Sequence, residues 1–173
     1  MFARPIGALA ALALFVSLAA CTVVVEPWPS HWTISAETTT RIAAIQEFRP
    51  NLGHGATYRV GEPISFRIRT SEDGYVTLTA IDPDGSVYVF ARNVPVRGGR
   101  LEFIDGVGPR RLFRVDPPVG EHVIRAHFTP GRTDESVIFA GVRGYDRWQA
   151  RIELELRVFP RGDIAETRFT VRR

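Results

Sequence analysis

Cys21 is the one cysteine of this 173-residue chain, and its surroundings assign it a chemistry. Leu18, Ala19 and Ala20 stand directly before it. Small residues at the two preceding positions and a nucleophilic thiol at the junction are what cleavage and cysteine lipidation need. Arg4 supplies a positive start and Ile6 to Leu18 an apolar run, so residues 1–20 read as a signal helix removed before Cys21. The run falls short of the ~20 apolar residues of a spanning helix. An ordinary secretory signal would leave Cys21 a free thiol, a poor choice outside the cytosol. The pattern therefore predicts a bacterial lipoprotein. Buried acyl chains contribute ~0.8 kcal/mol per methylene, and stable anchoring takes more than one chain. Thr22, rather than Asp, comes after the cysteine. This favours the outer membrane in a cell with two membranes and the cell surface otherwise.

The remaining reactive residue types form no recognisable site. No Gly-x-Ser-x-Gly elbow is present. His31, His54, His122 and His127 lack metal-ligand spacing. If His122 and His127 lie on one strand, five positions apart, they face opposite sides of the sheet. Asp82-Pro83-Asp84-Gly85-Ser86 has the start of a calcium loop, but its twelfth position is Asn93 rather than Glu, and a β-turn explains it. The glycines at 98–99 and 106–108 make no phosphate loop. Read as a strand, 151–158 puts Glu153 and Glu155 on one face with Arg151 and Arg157, where they compensate one another. No catalytic residue, metal or cofactor is expected.

Composition narrows the partners. All 22 basic residues are Arg, against 19 acidic ones, so the charge nearly cancels. No basic run with interleaved aromatics appears, which argues against nucleic acid. Residues 21–173 are the size of one domain, large enough to bury about 70% of its unfolded surface without disulfides. Residues 21–33, with Glu26-Pro27-Trp28-Pro29, read as an extended tether. Two roles stay open there: Trp28, His31 and Trp32 at the membrane interface, or Trp32 as the first residue packed on the domain.

Residues 34–173 read as strands and turns. Ile64 to Arg69 alternates with period two, as does Tyr75 to Ile81, where Val76, Leu78 and Ala80 share a face. Asp82-Pro83-Asp84-Gly85 predicts a hairpin returning through Val87 to Phe90. Arg100–Ile104, Leu112–Val115, His122–Phe128 and Glu166–Val171 read as extended segments. The stretch 131–149 is a strand at Val137–Ala140 or an excursion. Ile152, Leu154, Leu156 and Val158 alternate strictly, predicting a strand near a sheet edge rather than a helix. Eight to ten short strands without a mature helix predict an all-β, antiparallel immunoglobulin-like β-sandwich, with a closed barrel as alternative.

Four motifs in order carry a family resemblance: Gly61-Glu62 before a strand, Gly74-Tyr75 opening the next, Asp84-Gly85 in a hairpin, and Pro118-Val119-Gly120 before a late strand. Over residues 42–130 the chain resembles domain-of-unknown-function family 4384. Arg92 stands where the family often has Pro before the Asn, and residues from 131 lie outside the likeness. The resemblance implies an envelope accessory module, often a lipoprotein, with no catalytic residues of its own.

Together these readings predict a non-enzymatic, lipid-anchored protein that docks to an envelope component: an outer-membrane or surface-layer protein, or peptidoglycan. The candidate contacts are Arg92, Arg97, Arg100, Arg110 and Arg111 in segment 92–111, and Tyr145 and Trp148 in the excursion, because Arg, Tyr and Trp dominate interface hot spots. A solvated basic loop is the plain alternative for the arginines, and a core position for Trp148. The rival functions are an anchoring lipoprotein of a secretion machine and a cell-wall hydrolase.

Overall fold

The computed structural model describes residues 31–32, 43–106, 108, 112–134 and 136–173. Among them the chain forms β1 (His31–Trp32), β2 (Ile45–Pro50), β3 (Thr57–Arg59), β4 (Phe66–Thr70), β5 (Gly74–Ile81), β6 (Val87–Val96), β7 (Leu101–Ile104), β8 (Gly120–Thr129), α1 (Tyr145–Leu156) and β9 (Asp163–Arg172). The strands make two sheets. The larger runs β1-β9-β8-β5-β6, with β3 also on β9, and the smaller runs β2-β4-β7. Every pairing is antiparallel except β3 on β9. The fold is an all-β sandwich of two separate sheets rather than a closed barrel. No helix of the described residues is long and apolar enough to cross a membrane.

Alternation builds the inter-sheet core. Phe66, Ile68 and Thr70 of β4 are buried while Arg69 faces solvent. Val76, Leu78 and Ala80 of β5 and Ile124, Ala126 and Phe128 of β8 join this core from the large sheet. Tyr58 of β3 closes one end, its ring edge-on to Phe169 at 5.4 Å. The β5–β6 hairpin turns at Asp82-Pro83-Asp84-Gly85, where Gly85 takes φ 80 and Asp82 N–H donates to Ser86 O at 3.0 Å. A tight return of this kind needs that left-handed position, which glycine supplies without strain.

The other face of the large sheet is covered as well. Thr77, Thr79 and Ile81 of β5 and Arg125, His127 and Thr129 of β8 are buried beneath residues 131–156. A second apolar cluster fills this layer, with Ile81, Val87 and Ile164 from the sheet and Phe139, Val142, Trp148, Ile152 and Leu156 from the cover. Burial on both faces explains why β5 from Val76 and β8 from Ile124 run buried without a break to their ends.

The fold corrects one expectation and bears on two readings that the sequence leaves open. Residues 151–158 are not a strand: 145–156 is helix α1, and Leu154 and Val158 are 40% and 74% exposed. The alternation is a coincidence of spacing, because the buried apolar positions are Trp148, Ile152 and Leu156, four apart, as one helix face requires, with Glu155 buried beside them. Val137–Ala140 forms no strand, and Phe139 instead plugs the cover as part of an irregular segment. The tether read as 21–33 overlaps the domain at its end, since His31 and Trp32 pair with Ala165 and Ile164.

Candidate functional site: a buried polar layer and an inter-sheet cavity

Two bulges in β6 set up the polar layer. The register against β5 slips between Val76 and Leu78 and again between Leu78 and Thr79. Phe90 and Ala91 therefore both face the sandwich core, and Arg92 lands on the helix side. There the Arg92 guanidinium donates to Glu155 Oε1 and also reaches Thr133 Oγ1 at 3.2 Å. Asn93, at φ 53, exchanges hydrogen bonds with the Thr133 backbone, tying the start of the cover to β6.

Behind Arg92 runs a directed line of hydrogen bonds. The Trp148 indole N–H donates to Thr79 Oγ1 at 2.9 Å, and Thr79 meets His127 Nε2 at 2.9 Å. His127 Nδ1 meets Glu155 Oε2 at 2.9 Å. Burial holds the His127 imidazole below its ordinary pKa, so the ring is neutral. Its one proton then sits on Nδ1 for the carboxylate, and the Thr79 hydroxyl donates to Nε2. Burial alone would raise the Glu155 carboxyl, but the His127 hydrogen bond and the Arg92 charge hold it below the usual range. Hydroxyl, imidazole and carboxylate thus stand in the order of a nucleophile, base and orienting acid. The order does not make it reactive as it stands. Thr79, His127 and Glu155 are 0%, 1% and 3% exposed, and the indole already occupies the hydroxyl oxygen.

Arg125 anchors the same layer further along. Its guanidinium lies 4.3 Å from the ring centroids of both Tyr145 and Trp148. It donates to Glu166 Oε2 at 2.9 Å, to Gln149 Oε1 at 2.6 Å and to the Tyr145 hydroxyl. Tyr145 in turn donates to Glu166 at 2.6 Å. Burial and that carboxylate push the phenol up to about 12.

The opposite face of the large sheet borders a cavity of about 490 Å³ that opens between the sheets. Phe66, Phe90, Phe113 and Phe169 line it, with Ile64, Val115 and Ile124. Phe90 and Phe113 stand edge-to-face at 5.2 Å. His122 lies in its wall, stacked on Phe169 at 5.3 Å. His122 Nδ1 is 2.8 Å from Asp82 Oδ1, and Nε2 is 2.7 Å from Pro118 O. Both neighbours are acceptors, so both ring nitrogens carry protons in the best-satisfied state. Burial opposes that charge, but the hydrogen bonds to Asp82 and Pro118 outweigh it and raise the imidazole. The Tyr88 hydroxyl also donates to Asp82, at 3.1 Å. Burial, then the Asp82 and Asp116 carboxylates, raise the phenol well above its ordinary range.

The residues singled out from sequence are dispersed. Arg97 and Arg100 lie in the β6–β7 connection, both exposed. Arg92 is committed to Glu155, with 16% of its side chain exposed, which corrects its reading as an open contact. Trp148 is fully buried, so the core alternative holds and its reading as a partner contact is corrected. Tyr145 keeps 37% exposure, but its hydroxyl is engaged by Arg125 and Glu166. Glu155 compensates Arg92 and accepts a hydrogen bond from His127 across the layer, rather than pairing with Arg151 and Arg157 as expected. Glu153 accepts from Gln149 at 2.8 Å. His122 and His127 do face opposite sides of β8. Leu18, Ala19, Ala20, Cys21, Arg110 and Arg111 lie outside the described residues. Sequence reading missed Thr79, His127, Glu155, Tyr88 and Asp116 as members of sites. The one available signal was a helical phase through Trp148, Ile152 and Glu155.

A two-sheet sandwich with a helical cover is the class that this geometry defines. Within it, residues 57–132 match the family described as Domain of unknown function (DUF4384), so the chain contains a domain resembling that family. The match runs from β3 past the end of β8 and stops where the cover begins. Arg92 and His127 thus lie inside the family unit and Glu155 outside it. No curated protein and no solved structure gives a significant match to the chain.

Proposed function

We propose that this chain is a lipid-anchored protein of the cell envelope, held by Cys21, that acts as a non-catalytic docking module for another envelope component. The observation that carries the non-catalytic part is the closure of the Thr79–His127–Glu155 line, whose members are at most 3% exposed. Its polar atoms are spent on holding the cover to the sheet.

The docking surface is the β6–β7 connection and the strand after it. Arg97 and Arg100 both reach solvent there, and Phe103 of β7 is 59% exposed with the Arg67 guanidinium 5.8 Å from its ring centroid. Exposed Arg and aromatic side chains on a short edge strand are the residue types that anchor interfaces. The partner is an outer-membrane or surface-layer protein, or peptidoglycan.

Fractionation and affinity purification test the two halves separately. Cys21→Ser should leave the membrane fraction and stay folded; retention in the membrane would overturn the anchor. From mild detergent, the wild-type chain should retain one defined envelope component that Arg97→Glu/Arg100→Glu loses. Recovery of the chain alone, or equal recovery with the variant, would overturn the docking surface.

A further inference from the structure

The two histidines of β8 have opposite room for a second ring proton. His122 meets an acceptor at each nitrogen, Asp82 Oδ1 at 2.8 Å and Pro118 O at 2.7 Å. His127 does not. Its Nδ1 faces the Glu155 carboxylate, but its Nε2 faces the Thr79 hydroxyl, whose oxygen already accepts from the Trp148 indole. A proton on Nε2 would give Thr79 a second donor and leave the hydroxyl proton without its acceptor inside the core.

The charges facing His127 also balance without it. Arg92 from β6 meets Glu155 from α1, and Arg125, two residues along β8, meets Glu166 of β9. The Phe139 ring of the cover lies 6.0 Å from the imidazole, and the exposed Asp134 carboxylate is turned to Ser136. A protonated His127 therefore adds an uncompensated charge to a layer closed to water. Lifting the cover relieves both costs, because water then solvates the imidazolium. The cover is one continuous stretch between β8 and β9 that gives no strand to either sheet. Among the described residues its one β-bridge is Arg143 on Ser86, at the β5–β6 turn.

We infer that residues 131–156 are an acid-released lid with His127 as its trigger, lifting from the large sheet while the two-sheet sandwich stays folded. This goes beyond the docking reading and needs no partner. Burial holds the closed-state His127 imidazole below its ordinary value, so its support for the closed lid is present above about pH 6.5 and is lost below it. The His122 imidazole is raised, so the same mild acid strengthens the sandwich. Opening bares Arg92, Arg125, Thr77 and Thr79, and it carries Glu155 away from His127, so no catalytic line is assembled.

Native-state hydrogen exchange of the full chain in neutral detergent reads the lid. After correction for the intrinsic pH dependence of exchange, opening linked to one proton with a free value of about 6.5 should rise about tenfold in α1 from about pH 7.5 to about pH 5.5, and should not rise in β4. His127→Gln, whose amide can accept from Thr79 and donate to Glu155, should abolish the rise; His122→Gln should keep it. Should His127→Gln fail to fold, the wild-type ring resonances decide, since His127 must stay neutral in the closed protein near pH 6. Protection of α1 that is independent of pH, an equal loss in β4, a full rise in His127→Gln, or a charged His127 ring in the closed protein would each overturn the lid.

Discussion

Glu155 of α1 and His127 of β8 meet at 2.9 Å, with 3% and 1% of their surfaces exposed. The contact joins two parts of the chain with different standing, since His127 lies inside the family-matched span and Glu155 beyond it. It sits beside apolar packing from Trp148, Ile152 and Leu156, so the cover is held by fit and charge together. A buried carboxylate that satisfies an arginine and a histidine specifies one seat for the helix. A purely apolar stripe would allow sliding.

This arrangement distinguishes two glutamates that a strand reading makes equivalent. Glu155→Ala removes the acceptor from Arg92 and His127 and leaves a largely buried guanidinium without its carboxylate. The expected loss is about 3 kcal/mol. Glu153→Ala touches an exposed residue that, among the described residues, accepts only from Gln149, and should stay within about 0.5 kcal/mol. Denaturant midpoints of the two variants give the comparison. Equal losses would return the segment to a solvated charge ladder.

His122 and Asp82 should make part of the stability depend on pH. The folded state raises the His122 pKa above its unfolded value of about 6.5. Such a group stabilises the fold fully below the unfolded value and loses that contribution as pH rises through the folded one. Asp82→Asn removes the carboxylate that favours the imidazolium. The gap between wild type and variant should be about 2 kcal/mol near pH 6 and shrink toward pH 9. A gap that is flat or widens with pH would contradict the doubly protonated ring.

Gly74 opens β5 against the ring of Phe128. A Cβ built there meets Phe128 ring carbons at 2.5 and 2.6 Å and Thr129 O at 2.6 Å. The clash involves backbone and a fully buried ring, neither of which can swing away. Gly74→Ala should therefore cost about 2 kcal/mol by overpacking. Gly55→Ala has open space but φ 74, so its cost comes from backbone strain alone, about 1 kcal/mol. Thermal unfolding of both variants separates steric from conformational cost.

Some of this architecture is legible in the sequence, for physical reasons. Alternation in β4 and β5 and the Asp-Pro-Asp-Gly turn are local signals, and they locate those two strands and the turn to within about two residues, while the return strand β6 runs on to Val96, past the expected end at Phe90. The turn before β8 is equally local. The helix is illegible because Ile152, Leu154, Leu156 and Val158 satisfy a period of two, while the true stripe needs Trp148 and admits an exposed Leu154. Short β2 and β3 carry little pattern of their own and are fixed by pairing with β4 and β9. The polar layer depends on bulges that re-aim Arg92 and on a contact 28 residues apart, neither of which spacing encodes. Asp116 and Phe113 come to the cavity only through the packing of the 112–116 segment.

Arg125 offers the sharpest test of the cover, because the chain contains no lysine and arginine takes every position that a lysine might fill. At most positions that choice is immaterial. Arg168 pairs with Glu121 and Glu166 at 3.5 and 3.4 Å with 35% of its side chain exposed, so Arg168→Lys should change stability by less than about 0.5 kcal/mol. Arg125 is 1% exposed, and its guanidinium lies 4.3 Å from the centroids of two mutually perpendicular rings, Tyr145 and Trp148, while donating to Glu166, Gln149 and Tyr145. An ammonium is a compact point charge without the planar fork that reaches three separate acceptors from between these rings. Arg125→Lys should cost about 2–3 kcal/mol and weaken the near-ultraviolet circular dichroism of Tyr145 and Trp148 before global unfolding. A neutral effect on both stability and dichroism would mean that the cover is seated by its apolar residues alone.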